Sequence, residues 1–285
     1  MKSPSGLEEI GWKIFGEKFK EVKEWCVKRE KVDWSNAIPK GKVANVFVAI
    51  EALSRLLIRH EQETTDVTEI PTPYGYNVPA ILNTKMQAVV RRTMLAILHE
   101  WFDRNQELAR RELGLNRYGC TMRPFIRREK AQTPEESFTG YCKECPNCLI
   151  YGYAVQEGAG YNVKSRVEGD LYVSTLRSDK AIVPTTFNAV DDITKTTQMP
   201  GTETGALYTY NLIEAGTIFI GKIALRDMTL AELLLTLVAI ARTSRIGGRQ
   251  THFGEIRVHI PAVLLSTYEI GSGYEIAVKI LEKVK

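Results

Sequence analysis

The chain is 285 residues long, 44% hydrophobic and 25% charged, with a formal net charge of +4. This is the balance of a soluble globular protein with enough chain for one large domain or two ordinary ones. No apolar run approaches the roughly 18 residues of a membrane-spanning helix, and residues 1–7 lack the apolar stretch of a secretory signal. Five cysteines, four of them grouped, suit a reducing compartment better than a disulfide framework, so a cytoplasmic location is expected.

In chain order, residues 7–32 carry helical spacing at Ile10, Ile14, Phe15, Val22, Trp25 and Cys26. Residues 43–52 are a short, nearly continuous apolar run, read as a buried strand, with Arg59 and His60 just past it. Residues 64–73 are polar and contain proline, and read as a loop. The longest helical pattern spans 83–113, with Asn83 or Thr84 as its expected cap and Gly114 as its stop. Residues 161–175 alternate as a strand. The Thr-rich stretch 178–210 reads as a long hairpin or protruding loop. Residues 217–224 form an apolar strand after Ala215-Gly216, and 230–241 a strongly apolar helix capped by Thr229 and broken at Gly247-Gly248. Residues 253–261 alternate as a last strand, and 268–284 fit strand or helix. The order strand, helix, strand, strand, helix, strand predicts an α+β fold with a ferredoxin-like (RRM-like) core carrying large insertions.

Cys142, Cys145 and Cys148 stand three apart, and Cys120 precedes them. The C-x-x-C spacing lets one tight turn aim successive sulfurs at one point, and Cys120 completes a Cys₄ tetrahedron, the closed geometry of structural zinc. An iron–sulfur cluster fits the same spacing, and reduced core thiols are the plain alternative. Cys26 belongs to the core.

Net charge alone implies nothing about nucleic acid. Between Lys85 and Lys130, however, eleven basic residues face five acidic ones, which suits either a phosphate-facing surface or a solvated helix face. The segment Arg242-Thr-Ser-Arg245-Ile-Gly247-Gly248-Arg249-Gln250-Thr251-His252-Phe253-Gly254 joins an apolar helix to a strand. Its glycines allow close backbone approach, its N–H groups could cradle phosphate, and its arginines supply charge-assisted contacts. The plain alternative is a glycine cap followed by surface arginines. No nucleotide P-loop is present, because Gly247-Gly248 follows a helix where a P-loop precedes one. Gly158-Ala-Gly160 lacks a third glycine and reads as a turn.

These residues, in this order, resemble the RAMP superfamily of CRISPR-associated proteins, most closely its Cas-seven-type backbone subunits of type I-D interference complexes. The likeness runs from the first helix entry, Val78-Pro79-Ala80-Ile81-Leu82-Asn83-Thr84-Lys85, through Cys145-Pro-Asn-Cys148-Leu-Ile-Tyr-Gly152. It continues in Ser165-Arg166-Val167, Val190-Asp191-Asp192-Ile193-Thr194, Gly205-Ala-Leu-Tyr208 and Gly216-Thr-Ile-Phe219, and ends in the loop at Gly247-Gly248-Arg249. Ala80-Ile81 stand where such proteins have Gly-Ser, and Thr251 and Phe253 where they have small residues.

The resemblance implies a noncatalytic scaffold whose copies polymerise along a CRISPR RNA. Its partners would be that RNA, target nucleic acid paired to the guide, further copies of the chain and other subunits of the complex, with no membrane. It implies residues 1–113 as the first half of the core with an N-terminal helix, 114–152 as a zinc-binding lobe, and 153–285 as the second half including a thumb-like insertion at 178–210. A scaffold that accepts any guide grips phosphate and sugar and leaves base edges free. The residues for that work are Arg59, His60, Lys85, Arg91, Arg92, Arg166, Arg242, Arg245, Gly247, Gly248 and Arg249. Arg91 and Arg92 point about 100° apart on a helix, so at most one of them faces RNA. The competing readings are a ribonuclease, with Asp33, Asp170 or His252 plus Arg249 as candidates, and a zinc-containing interaction protein unrelated to RNA. The scaffold reading requires Lys85, Arg166 and Arg249 to converge on one groove.

Overall fold

A computed structural model describes residues 6–28, 40–59, 66–113, 120, 142, 145–153, 163–188 and 207–283. The chain opens with two short helices, Gly6–Phe15 (α1) and Phe19–Trp25 (α2), separated by a 3-10 turn at Gly16–Lys18. The helix expected over 7–32 is therefore broken at Gly16. The apolar run at Val43–Ala52 forms β1 with the expected bounds. Its alternate residues Ala44, Val46, Val48, Ile50 and Ala52 enter the main core, as period-two geometry requires.

A hairpin of Glu69–Pro71 (β2) and Asn77–Ile81 (β3) follows. The expected loop thus contains an edge strand, where Pro71 is tolerated because no further strand needs its missing N–H. The long helical pattern divides into Asn83–Arg104 (α3) and Gln106–Leu113 (α4). The break falls at Asn105, whose side chain donates back to the Trp101 carbonyl at 2.7 Å. Leu82, with no side-chain cap, starts α3. Asn83 does not cap because its side chain turns inward against Gly169, where a Cβ would lie 2.4 Å from Asn83 Oδ1.

Pro146–Tyr151 forms α5. The strand expected over 161–175 is two strands, Val167–Gly169 (β4) and Tyr172–Ser174 (β5), both paired with Ile218–Arg226 (β8). Gly169 pairs with Ile223 and Val173 with Ile220, so three residues on one side oppose two on the other, a bulge centred on Asp170-Leu171. Between them and β8, a helical turn at Ser178–Ala181 (α6) leads into the antiparallel pair Ile182–Asn188 (β6) and Leu207–Ile213 (β7). The tip of this expected hairpin, 189–206, lies outside the described residues.

Leu230–Ala241 (α7) matches its sequence signal. Thr229 Oγ1 accepts from the Glu232 N–H at 3.3 Å, and Glu232 accepts from the Thr229 N–H at 2.9 Å, a reciprocal capping box. Ile256–Ser266 (β9) and Gly273–Lys283 (α8) complete the chain, so the ambiguous C-terminal stretch is helical.

The sheet runs β2-β3-β5-β8-β1-β9, with β4 also on β8, and every pairing is antiparallel. One face carries α3 and α7, which supply Met86, Val89, Val90, Met94, Leu233, Leu237 and Ile240 to the main core. Adjacent β8 residues Phe219 and Ile220 enter different clusters, so α8, packed on β5 and β8 with Ala277 and Leu281, covers the opposite face. The result is an α+β protein with an antiparallel sheet. No helix among the described residues is long and apolar enough to cross a membrane.

Candidate nucleic-acid interface and metal centre

Three separate segments meet at a cleft of about 360 Å³. The first three turns of α3 contribute Lys85, Ala88, Val89 and Arg92, the stretch after β1 contributes Leu57, Ile58 and Arg59, and the loop after α7 contributes Ile246, Gly247, Gly248 and Gln250. Lys85 and Arg92 are seven apart, so they share one helix face about 10 Å apart along the axis. Arg92 is exposed and has no acidic partner among the described residues.

Beside the cleft stands the root of the β6–β7 pair. Arg59 is ion-paired with Asp66 and lies over the Tyr210 ring, 4.8 Å from its centroid. Asp66 also accepts from the backbone N–H of Asn211 at 2.9 Å, which fastens this arrangement to β7. Arg249 stacks over both Tyr208 and Tyr210 and donates to their hydroxyls at 2.9 and 2.8 Å. Phe187 and Phe253 extend the aromatic group. These hydroxyls raise the Arg249 guanidinium's pKa above its ordinary value.

The glycine loop differs from an anion cradle. The Gly248 N–H donates to the Leu57 carbonyl at 2.8 Å and the Gly254 N–H to the Arg55 carbonyl at 2.9 Å. Gly247 has φ of 93°, and a Cβ there would sit 2.5 Å from the Leu57 oxygen. The glycines bring the loop close to the stretch after β1, and side chains present the charge. Gly247→Ala is expected to destabilise the protein by about 1–3 kcal/mol and to push the loop off Leu57. A lowered thermal midpoint checks this.

The structure does not bring every candidate arginine to this cleft. Arg166 is half-buried between β4 and α7, ion-paired with buried Glu232 and donating to the carbonyls of Leu149 and Asp227 at 3.1 and 2.9 Å. Arg91 donates to Asn147 Oδ1 at 3.0 Å and to the Gly152 carbonyl at 2.8 Å, while Asn147 donates back to the Arg91 carbonyl. Of the adjacent pair, therefore, Arg92 faces the cleft. Arg245 spans its own loop to the carbonyls of Gln250 and Phe253, and Arg242 lies 3.7 Å from Glu100. Of the three residues expected to converge, Lys85 lines the cleft, Arg249 directly follows the cleft glycines but turns its side chain onto Tyr208 and Tyr210, and Arg166 is held elsewhere by Glu232. His60 and Asp33 lie outside the described residues. Asp170 accepts from the Gly273 N–H at the start of α8 and lies 3.9 Å from buried Lys222. His252 is exposed beside Phe253.

Tyr208, Tyr210, Asp66 and Gln250 escaped sequence reasoning. The alternation Leu207-Tyr-Thr-Tyr-Asn-Leu-Ile is a strand signal that puts both tyrosines on one face.

The four cysteines gather at the far end of α3. The sulfurs of Cys120, Cys142, Cys145 and Cys148 all lie within 4.8 Å of one another. Cys120 and Cys148 are 3.5 Å apart, and Cys142 and Cys148 4.0 Å. A tetrahedron with metal–sulfur bonds of about 2.3 Å has edges of about 3.8 Å, so the donor set fits zinc. Hydrogen bonds with the other thiols pull the Cys120 thiol far below the ordinary range. The Cys145 N–H donates to Cys142 Sγ at 3.2 Å, and His99 on α3 meets the Cys120 carbonyl at 2.8 Å. Cys148 belongs to α5, whose Ile150 and Tyr151 lie in the main core, so this part of the expected 114–152 insertion is continuous with the body of the protein.

The family model described as Csc2 Crispr matches residues 26–285. The crystal structure of Thermofilum pendens Csc2 superposes with a TM-score of 0.64 at 27% identity, covering 91% of this chain and 76% of that one. A chain of a CRISPR RNA-guided surveillance complex in a pre-nicking state gives 0.49 at 15% identity, over 76% of this chain and 75% of the other. A chain of a type IV-B CRISPR complex gives 0.46 at 16% identity, over 80% and 93%. No curated protein matches.

Proposed function

The chain belongs to the Csc2 CRISPR family, and from that premise we propose that it is a noncatalytic, cytoplasmic backbone subunit of a type I-D interference complex. In this reading copies polymerise along the CRISPR RNA and hold it without regard to sequence, leaving the guide free to pair with target nucleic acid. The observation that carries the reading is the cleft where Lys85, Arg92 and Arg59 converge against the Gly247-Gly248 loop. Cationic side chains from three segments suit phosphate, which carries no sequence information. The core is read as ferredoxin-like. Its first, second, third and fourth strands are β1, β4–β5, β8 and β9, and they lie in the order fourth, first, third, second, with α3 and α7 as the two helices. The metal is read as structural zinc held by Cys120, Cys142, Cys145 and Cys148. It would fix the chain around α5. The engagement of Asp170 with α8 and Lys222 favours a structural role for that residue over ribonuclease chemistry.

The test is Lys85→Glu with Arg92→Glu in a filter-binding titration against two unrelated single-stranded RNAs. Affinity is expected to fall more than tenfold for both. The log–log salt slope should become shallower by about 1.4, twice the ~0.7 expected per phosphate on a single strand. Equal affinity of variant and wild type would sink the reading.

A further inference from the structure

The geometry points to Tyr210, on the hairpin rather than in the cleft, as the residue that positions Arg59 and Arg249 together for RNA phosphate. This rests on the RNA-binding reading above and adds a residue to it. Both guanidinium carbons lie 4.8 Å from the same ring centroid, so they are at most twice that, 9.6 Å, from each other. Two cations no farther apart than that are separated by little more than the Debye length of about 8 Å at physiological salt, so solvent screens their repulsion only in part. The ring face and the Tyr210 hydroxyl hold them there, through cation–π attraction and a hydrogen bond to Arg249 at 2.8 Å.

The charge on this pair is only partly offset. Asp66 neutralises Arg59, but Arg249 meets only tyrosines and no carboxylate among the described residues. Arg249 also has a positive φ of 49°, which a non-glycine residue adopts rarely. A backbone held in that state, with a side chain pinned by two hydroxyls, places one cation in a fixed position. Arg59 lines the cleft and Arg249 directly follows the cleft glycines. Tyr210 therefore ties hairpin and cleft into one anion-binding unit, and acts through the arginines without needing to touch RNA itself.

The test is a mutant cycle on the full chain with poly(U) and a mixed-sequence single-stranded RNA as probes. Tyr210→Leu is expected to weaken binding about tenfold and make the salt slope shallower, by about 0.7 for each phosphate no longer neutralised. Tyr210→Phe keeps the ring and should recover the slope and most of the affinity. The deciding arm is Tyr210→Leu placed in the Arg59→Ala/Arg249→Ala background. There it should add nothing, because the groups it positions are gone. A further fall in that background would overturn the inference and indicate direct base contact or collapse of the hairpin. Salt-independent, negligible binding by the wild type would instead remove the RNA reading itself, which separates the two failures.

Discussion

Replacing Cys148 with serine is expected to abolish metal binding and to unfold more than the cysteine lobe. Cys148 is buried in the middle of the sulfur cluster, and α5 carries it. Two and three residues further on, Ile150 and Tyr151 are part of the main core. One residue earlier, buried Asn147 exchanges hydrogen bonds with Arg91 on α3. Losing the metal therefore frees a helix that the core uses. Structural zinc binding is worth about 10–16 kcal/mol in isolated fingers, against a total stability of about 5–15 kcal/mol for an ordinary domain. Even a fraction of that figure removes much of the margin. Elemental analysis should find about one zinc per wild-type chain and none in the variant, with a large fall in thermal midpoint. Cys26→Ala, in the core and away from the cluster, should keep its metal. Zinc retained at full stoichiometry by Cys148→Ser would refute the four-thiolate site. A visible absorption band with bound iron would reassign the metal.

Arg166→Met should cost about 3–5 kcal/mol of stability, because it leaves the Glu232 carboxylate buried without its cation. Hydrogen bonds to the Leu149 and Asp227 carbonyls disappear as well. RNA affinity of the folded fraction should not change, which separates a framework arginine from one in the cleft. Adding Glu232→Leu should restore part of the loss, since removing both charges also removes the uncompensated one. The restoration should fall short by about 1 kcal/mol, because Glu232 also closes the capping box on Thr229. Urea unfolding of the single and double variants decides this. A single variant within about 1 kcal/mol of wild type would show the pair to be energetically idle.

These two sites mark where the sequence was readable and where it was not. The cysteine spacing and the Thr229 cap are local signals, and both elements formed where the pattern put them. β1 was equally plain from its apolar run. Arg166 and Arg91, expected to serve RNA, are engaged by protein partners instead, because an arginine's role depends on what it meets in the fold. Glu232 is 66 positions from Arg166, and Asn147 is 56 from Arg91. No periodicity reveals such pairings. The division of the second core strand escaped for a similar reason, since the bulge at Asp170 lets its carboxylate reach the start of α8. The glycine loop was recognised by composition, yet its N–H groups answer carbonyls in the stretch just after β1, an arrangement only tertiary structure supplies.

The placement of α8 has a consequence for the route a nucleic acid can take. RNA-recognition modules spread unstacked bases over the open side of a comparable sheet, on aromatic side chains. Here that side is roofed over β5 and β8, with Gly273 so close that a Cβ on it would lie 2.6 Å from the Gly221 Cα. In the proposed RNA-binding reading, that half of the platform is closed to a polynucleotide, and the cleft beside α3 and the hairpin root is left to hold it. A guide gripped there by phosphate and sugar alone would leave its base edges free, as a template kept legible to a second strand.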